Sequence, residues 1–460
     1  MINPLLATTD LPAYAAIQPE HVEPAIDQLL VENRTQIERL LAANATYTWD
    51  NLIRPLEELE DRLNKAWSPV NHLHSVRDSE ALRAAYNACL PKLSAYHTEL
   101  GQHEGLYRAY QQIADGSEYA RLDSAQRKVI DDALRDFRLS GIALPPERRG
   151  RYKAIQQELA QLSARFSENV LDATQAWTKL LTNEARLAGL PEPARALARQ
   201  TAQQRGLDGW LLTLELPSYL PVLNYADDRE LRREMYDAYC TRASDQGPNA
   251  GQWDNGPVME RILALRYELA RLLDFRDYTE YSLATKMADS PDQVLAFLAD
   301  LAGRARPRAQ RELDELRGFA RSQFGIESLE TWDIGYYSEK LRQHRYQLSQ
   351  EELRPYFPAT RVLPGLFAVA ERLFGITIRP LDGVEVWHPD VRVYEIVDSV
   401  ENRRGRFYLD LYARPHKRGG AWMDGCLARR LMDDRVRLPA AYLVCNFTPP
   451  VGDDPALLTH

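Results

Sequence analysis

The sequence predicts a mainly α protein with a small antiparallel sheet near its C-terminal end. Three observations carry this expectation. Apolar residues recur at helical spacing from about residue 20 to residue 182. That pattern is interrupted over 206–223, where the composition changes and a short β-like run is followed by prolines. After Val391, large side chains alternate in Phe407-Tyr408-Leu409-Asp410-Leu411-Tyr412, and a second run, Ala441-Tyr442-Leu443-Val444-Cys445-Asn446-Phe447, also reads as a strand.

Taken in order, helices are expected near residues 26–42, 52–67, 80–89 and 124–139. The clearest one begins after Pro145-Pro146, because proline is tolerated in the first helical turn. Tyr152, Ile155, Leu159, Leu162, Phe166, Val170 and Trp177 then recur mostly at three- and four-residue steps. This gives one apolar stripe, for which packing within a helical array is sufficient. Trp210-Leu211-Leu212-Thr213-Leu214-Glu215-Leu216 reads as a strand, punctuated by Pro217 and Pro221. The main architectural boundary falls there, separating a helical region over 1–215 from a second region over 216–460. Asp227-Asp228-Arg229-Glu230-Leu231-Arg232 opens the next helix with acidic residues, which favour the positive end of the helix dipole. Helices resume over 259–273, 291–325 and 351–374. A hairpin is expected from 391–397 to 407–412, turning through Glu401-Asn402-Arg403-Arg404-Gly405.

At 460 residues the chain is long enough for two or three domains. Hydrophobic residues at 45% and charged residues at 27% suit a soluble globular protein. A net charge of −9 argues against partners such as nucleic acid or an anionic membrane, which favour a basic footprint. No uncharged apolar run approaches the length of about 18 residues that spans a bilayer. The start, Met1-Ile2-Asn3-Pro4-Leu5-Leu6-Ala7, lacks the basic stretch of a secretory signal. Cys89, Cys240, Cys426 and Cys445 are scattered and form no Cys-x-x-Cys pair, so reduced, mostly buried thiols in a cytoplasmic protein are expected.

A zinc-binding helix of the His-Glu-x-x-His type needs two imidazoles four residues apart on one face. Only His103-Glu104-Gly105-Leu106-Tyr107 begins that way, and Tyr107 stands where the second ligand belongs. It reads as a chance match on a solvated surface. His72 and His74 would point to different sides of a helix and read as a surface pair. No Gly-x-Ser-x-Gly elbow and no phosphate-binding glycine loop is present, and no local signature supports a Cys-His nucleophile. Asp227-Asp228, Asp433-Asp434 and Asp453-Asp454 read as caps and solvated loops.

One succession is more specific. The strand at Phe407 is followed by Lys417-Arg418-Gly419-Gly420-Ala421-Trp422, then by the strand at Ala441, Thr448-Pro449-Pro450 and Leu457-Leu458-Thr459-His460. It resembles the thimet oligopeptidase/oligopeptidase A family of zinc metallopeptidases. The resemblance extends along the chain through Tyr239-Cys240-Thr241-Arg242-Ala243-Ser244-Asp245, Trp332-Asp333-Ile334-Gly335-Tyr336-Tyr337 and Arg354-Pro355-Tyr356-Phe357-Pro358. It implies a zincin-like, neurolysin-type helical architecture flanking a deep channel. The implied activity is a cytoplasmic zinc endopeptidase of short oligopeptides. Its zinc would polarise the scissile carbonyl and activate water, and a glutamate would move the proton.

In that family the His-Glu-x-x-His helix begins just after the Leu-x-Thr-His seen at the end of this sequence. The metal ligands and catalytic residues are therefore expected beyond His460, with no zinc held by the 460 residues alone and no activity as they stand. An incomplete gene is expected, and reading the coding DNA past His460 tests it. The alternative is a non-enzymatic truncation that binds peptides or a partner. By resemblance, Gly419, Gly420, Ala421 and Trp422 form the substrate-binding edge, since glycine lets a peptide backbone approach closely. A glycine bulge or turn between two strands is an equally open reading of the same residues. Short peptides are the expected partners, with no nucleic acid, membrane or obligate protein partner. Phe407, Leu409 and Leu411, with Leu443, Cys445 and Phe447, are expected to lie exposed on the sheet.

Overall fold

A computed structural model describes residues 3–7, 10–432 and 435–459. The chain divides into two compact units, each interrupted in sequence: Met1–Ser167, Pro257–Pro291 and Glu385–Trp387 in the first, and Glu168–Gly256, Asp292–Val384 and His388–His460 in the second.

The first unit is helical. It contains α1 (Val22–Ala43), α2 (Arg54–Val76), α3 (Glu80–Gly101), α4 (Glu104–Asp115), α5 (Ser117–Arg121), α6 (Ser124–Leu139) and the first part of α7 (Pro146–Ala176). Several starts are set by local chemistry. Ser79 accepts the Leu82 N–H, and Asp123 with Gln126 forms a reciprocal cap on α6. Helices α2 and α3 run further than the sequence suggests, because Pro69 and Pro91 are carried inside them. An interior proline costs about 3 kcal/mol against alanine, and burial of Pro69 with Ala66, Val70 and Leu73 offsets part of it. Ile37, Leu52, Ile53, Leu106, Ile113, Ile130 and Phe137 form one core of this unit. The stripe on α7 forms another, where Tyr152 and Ile155 pack on Leu265 and Leu269.

One histidine reading changes. His72 and His74 do leave α2 in different directions, but they are not a surface pair. His72 is 2% exposed, with its ring 4.1 Å from that of Trp387, and His74 stacks on Tyr86 at 4.1 Å. His103 is a helix cap: its Nδ1 accepts the Leu106 N–H at 3.2 Å and its Nε2 lies 3.1 Å from Glu38. The glutamate after it sits in the first turn of α4, where the dipole favours it.

The second unit begins with the end of α7 and holds β1 (Thr178–Leu181), α8 (Glu192–Gln204), β2 (Trp210–Thr213), α9 (Leu216–Tyr225) and α10 (Arg229–Cys240). The compositional change at 206–223 lies inside this unit, whose core joins Trp177, Leu181, Leu212, Val222, Leu231 and Met235. Strand β2 is shorter than expected because Pro217 opens α9 and Ser218 Oγ accepts the Thr213 N–H. Asp228 caps α10 by accepting the Leu231 N–H at 3.0 Å. After α11 (Gly256–Leu272) and α12 (Tyr278–Leu283), which belong to the first unit, come α13 (Pro291–Phe324), α14 (Ile334–Tyr346), α15 (Gln350–Leu353) and α16 (Ala359–Phe374). The single helix expected over 351–374 is broken by a 3₁₀ turn at Arg354–Tyr356 and by Pro358.

A buried ion cluster ties α10 to the start of α14. Arg232 donates to Asp333 Oδ1 at 2.9 Å and to the Ala226 carbonyl at 2.7 Å, with its guanidinium 4.1 Å from the Tyr336 ring centroid. Arg229 adds a second contact to Asp333 at 2.6 Å. Burial pushes the Asp333 carboxyl up, but Arg229 and Arg232 outweigh it and hold the group below the usual carboxylate range.

The C-terminal sheet comprises β3 (Ile376–Pro380), β4 (Arg392–Asp398), β5 (Arg403–Tyr412), β6 (Trp422–Leu427) and a late strand, with a separate short pair between them. That pair is β7 (Arg430–Met432) with β8 (Arg435–Arg437), and the late strand is β9 (Ala440–Phe447). The order is β3-β4-β5-β9-β6. The sheet is mixed, not antiparallel as the sequence suggested, because β5 and β9 pair in parallel. The cause is the chain path: β6 runs antiparallel to β9, and β9 enters between β5 and β6. The expected hairpin is present, but Arg403 already belongs to β5 and the turn is confined to 399–402, with Glu401 at φ 63°.

The sheet is also better covered than expected. Leu409 is 3% and Leu411 7% exposed, and Tyr408, Tyr442 and Val444 are buried, while Leu443 and Cys445 are half-buried. Of the residues expected to be exposed, only Phe447, at 37%, is; Phe407 is half-buried. Hydrogen exchange should therefore find β5 and β9 slow and the edge strands β3 and β6 fast. Uniformly rapid exchange from 391 to 447 would contradict this packing.

Asp433-Asp434 and His460 lie outside the described residues. Asp453-Asp454 sits in a turn closed by the Asp454 N–H on the Val451 carbonyl. Cys89 and Cys426 are buried, Cys445 is half-buried and Cys240 is exposed, with none in a disulfide. Among the described residues no helix is long and apolar enough to cross a membrane.

Candidate functional site

Gly419, Gly420 and Ala421 lie immediately before β6, and Trp422 is its first residue. Strand β6 pairs with β9 on one side, and no strand pairs with its other side among the described residues. Gly419, Gly420 and Ala421 are exposed, as is Met423 at 75%. Gly420 has φ +94°, a conformation that L side chains rarely adopt, and a Cβ on either glycine would meet nothing within 4 Å. These residues form a glycine turn that leads into an edge strand. A bulge between Gly425 and Leu427 ends the regular pairing of that edge.

Buried charge fixes the approach to the turn. The Lys417 ammonium is fully buried and donates to Asp410 Oδ1 at 2.7 Å, the Tyr412 carbonyl at 2.8 Å and the Cys445 carbonyl at 2.7 Å. All three of its protons are used. These acceptors become available where the β5–β9 register slips between Asp410 and Tyr412. Arg414 grips the same carboxylate through both oxygens, at 2.6 and 2.7 Å. Burial pushes the Lys417 amine down to about 8 despite the pull of Asp410. Burial pushes the Asp410 carboxyl up, but Arg414 and Lys417 outweigh it and hold it low.

Further along, Asn446 Nδ2 donates to the Arg418 carbonyl at 2.9 Å and the Gly420 carbonyl at 2.6 Å. The Arg418 guanidinium lies 4.2 Å from the Trp422 ring centroid. Sequence reasoning missed Lys417, Asp410, Arg414 and Asn446. The basic Lys417-Arg418 beside the glycines was the one available signal, and nothing local marks Asn446.

The open space around both glycines separates two effects of substitution. Gly420→Val should destabilise the protein by about 1–3 kcal/mol through backbone strain alone, whereas Gly419→Ala should stay within about 0.5 kcal/mol of the parent. Denaturant unfolding checks this, and equal losses in the two variants would contradict the role of the positive φ.

A cavity of about 470 Å³ lies in the same unit, bounded by α9, α14 and the end of β9. Glu339 and Arg354 are in its wall, and Arg354 donates to the Leu457 carbonyl at 3.1 Å. Asn446 and Phe447 place the cavity at the end of β9 that holds the glycine turn. Among the described residues no group of three or more His, Cys, Asp and Glu side chains could hold a metal ion. The described residues therefore do not by themselves fit a catalytic zinc.

A mainly helical chain with a small mixed sheet near its C-terminal end is the fold class of helical peptidases of the oligoendopeptidase type. Residues 222–460 match the model of Peptidase family M3, and residues 26–149 match that of the neurolysin/thimet oligopeptidase N-terminal domain. The chain belongs to peptidase family M3. It is 56% identical to oligopeptidase A of Salmonella typhimurium over 461 aligned residues, covering 100% of this chain and 68% of the relative. It is 54% identical to oligopeptidase A of Haemophilus influenzae with the same coverage, and 30% identical to the dipeptidyl carboxypeptidase of Escherichia coli over 99% of this chain and 67% of that relative. A structure described as oligoendopeptidase F from Bacillus anthracis shares the fold, with a TM-score of 0.50 at 14% identity, covering 92% of this chain and 62% of that one.

Proposed function

We propose that residues 216–460 are the N-terminal part of a metallopeptidase catalytic region, and that β6 receives the backbone of a short, extended peptide by strand addition. Gly419, Gly420, Ala421 and Trp422 start that edge and admit the peptide. The activity of the whole enzyme is then zinc-dependent endoproteolysis of oligopeptides in the cytoplasm. One observation carries the reading: an edge strand, left open and entered through an unobstructed glycine turn, in a chain of a peptidase family. The residues of this chain contribute binding and orientation. Backbone groups on the outer side of β6 pair with the peptide, while Lys417, Asp410 and Arg414 hold the approach rigid. Zinc, when bound by a complete site, supplies a Lewis acid and an activated water.

The 460 residues alone are proposed to bind peptides without cleaving them, because the sequence contains no pair of histidines four apart. After dialysis the purified chain should hold far less than one zinc per molecule and show no chelator-sensitive cleavage of a quenched peptide. It should bind a short, terminally blocked Ala/Leu peptide, and alternate N-methylation of that peptide should weaken binding. Stoichiometric zinc with chelator-sensitive turnover would overturn the first part. Equal affinity for both peptides would remove the edge reading.

A further inference from the structure

We propose that Asn446 is a positioning residue for peptide binding, acting through the backbone of the glycine turn that starts β6; the inference rests on the edge reading above. The backbone ladder between β6 and β9 ends at the pair Trp422 and Val444. Continued by two residues, the same register would set Gly420 opposite Asn446. The backbone does not continue it, because Gly420 turns the chain away at φ +94°. The Asn446 side chain takes over: one amide nitrogen holds the carbonyls of Arg418 and Gly420, on either side of Gly419. Beside it, the Cys445 carbonyl is taken by Lys417. Two side-chain contacts thus replace the rung that the backbone leaves out.

Both held carbonyls are directed at β9, the inner neighbour of the edge. Gly419 and Gly420 are exposed, and a Cβ on either would find nothing within 4 Å. Conformational freedom is greatest at glycine, so two successive exposed glycines would otherwise wander. Holding them ahead of binding removes an ordering cost that an incoming peptide would have to offset. Asn446 is suited to this because its amide presents two N–H donors from one planar group.

The test couples a change in the protein to a change in the peptide. Affinities of the full chain and of Asn446→Ala are measured by fluorescence anisotropy for a fluorescein-labelled, terminally blocked Ala/Leu peptide and for its alternately N-methylated form. Thermal unfolding of both proteins is recorded alongside. If Asn446 prepares the edge for backbone pairing, Asn446→Ala weakens the unmethylated peptide by about tenfold and leaves the methylated one nearly unchanged, with an unfolding midpoint close to the parent's. Asn446→Gln, which restores the donor, recovers part of the loss. The two perturbations are then non-additive, as expected for groups acting on one interaction. An equal loss for both peptides would make Asn446 merely structural and overturn the inference while leaving the edge reading intact. Parent affinity that ignores N-methylation would remove the edge reading itself, and the inference with it.

Discussion

Asp333→Ala should destabilise the second unit by about 3–5 kcal/mol, the usual result of removing one partner from a buried ion pair. The carboxylate is fully buried and accepts from both Arg229 and Arg232, and Arg232 is itself almost wholly enclosed. Its loss leaves a guanidinium inside the protein with backbone carbonyls and an aromatic face in place of a counter-charge. Because the folded carboxyl titrates below its ordinary value of 3.8, the stabilisation is complete above that pH and is lost as pH falls through the folded value. The advantage of the parent over Asp333→Asn should shrink only under acid conditions. A constant difference from neutral pH down to strong acid would show that the pair carries no linked proton.

Lys417→Met should cost a similar amount, about 3–5 kcal/mol near neutral pH. Methionine fills much of the volume but removes the lysine donor from the Tyr412 and Cys445 carbonyls and the ammonium from Asp410. The pH dependence has the same sign as that of Asp333 but lies at alkaline pH. The folded amine gives up its proton near 8, whereas an unfolded lysine keeps it to about 10.5. Between those values the unfolded state holds more protons, so the Lys417 contribution to stability grows as pH rises. The difference between parent and Lys417→Met should widen across that interval, which removes the effect of other groups common to both proteins. A flat difference would mean that the buried amine is not depressed.

How much of this could be read in advance depended on the range of the interaction. The start of α7, the cap at Asp228 and the strand segments β4 and β5 follow from neighbours a few residues apart and are expected from the sequence, whereas β3 is not. Helices α2 and α3 run past their expected ends, through Pro69 and Pro91, because packing overrides the local cost of an interior proline. The parallel pairing of β5 with β9 depends on where a later strand enters, which alternation of side chains cannot specify. The Arg232–Asp333 cluster joins residues 101 positions apart, and neither residue type announces burial. At the candidate site, the glycines were legible because their freedom is intrinsic. Asn446 was not, since its role consists of two carbonyls 26 and 28 positions away.

The place of β9 in the sheet sets the order in which the protein can be finished during synthesis. Strand β9, which lies between β5 and β6, is the last of the five to leave the ribosome, after both of its neighbours and the β7–β8 pair. Until Ala440–Phe447 emerges, β5 has lost no edge to a partner beyond β4, and β6 has no strand to pair with at all. Lys417 waits for the Cys445 carbonyl, and the glycine turn waits for Asn446. The helices of the first unit close over shorter separations and can form while translation continues. The nascent chain therefore carries a folded helical body and an unsealed β5 for the time needed to make about 30 more residues, roughly 2–6 s at ordinary elongation rates. During that interval Tyr408, Leu409 and Leu411 are the surface most in need of a chaperone.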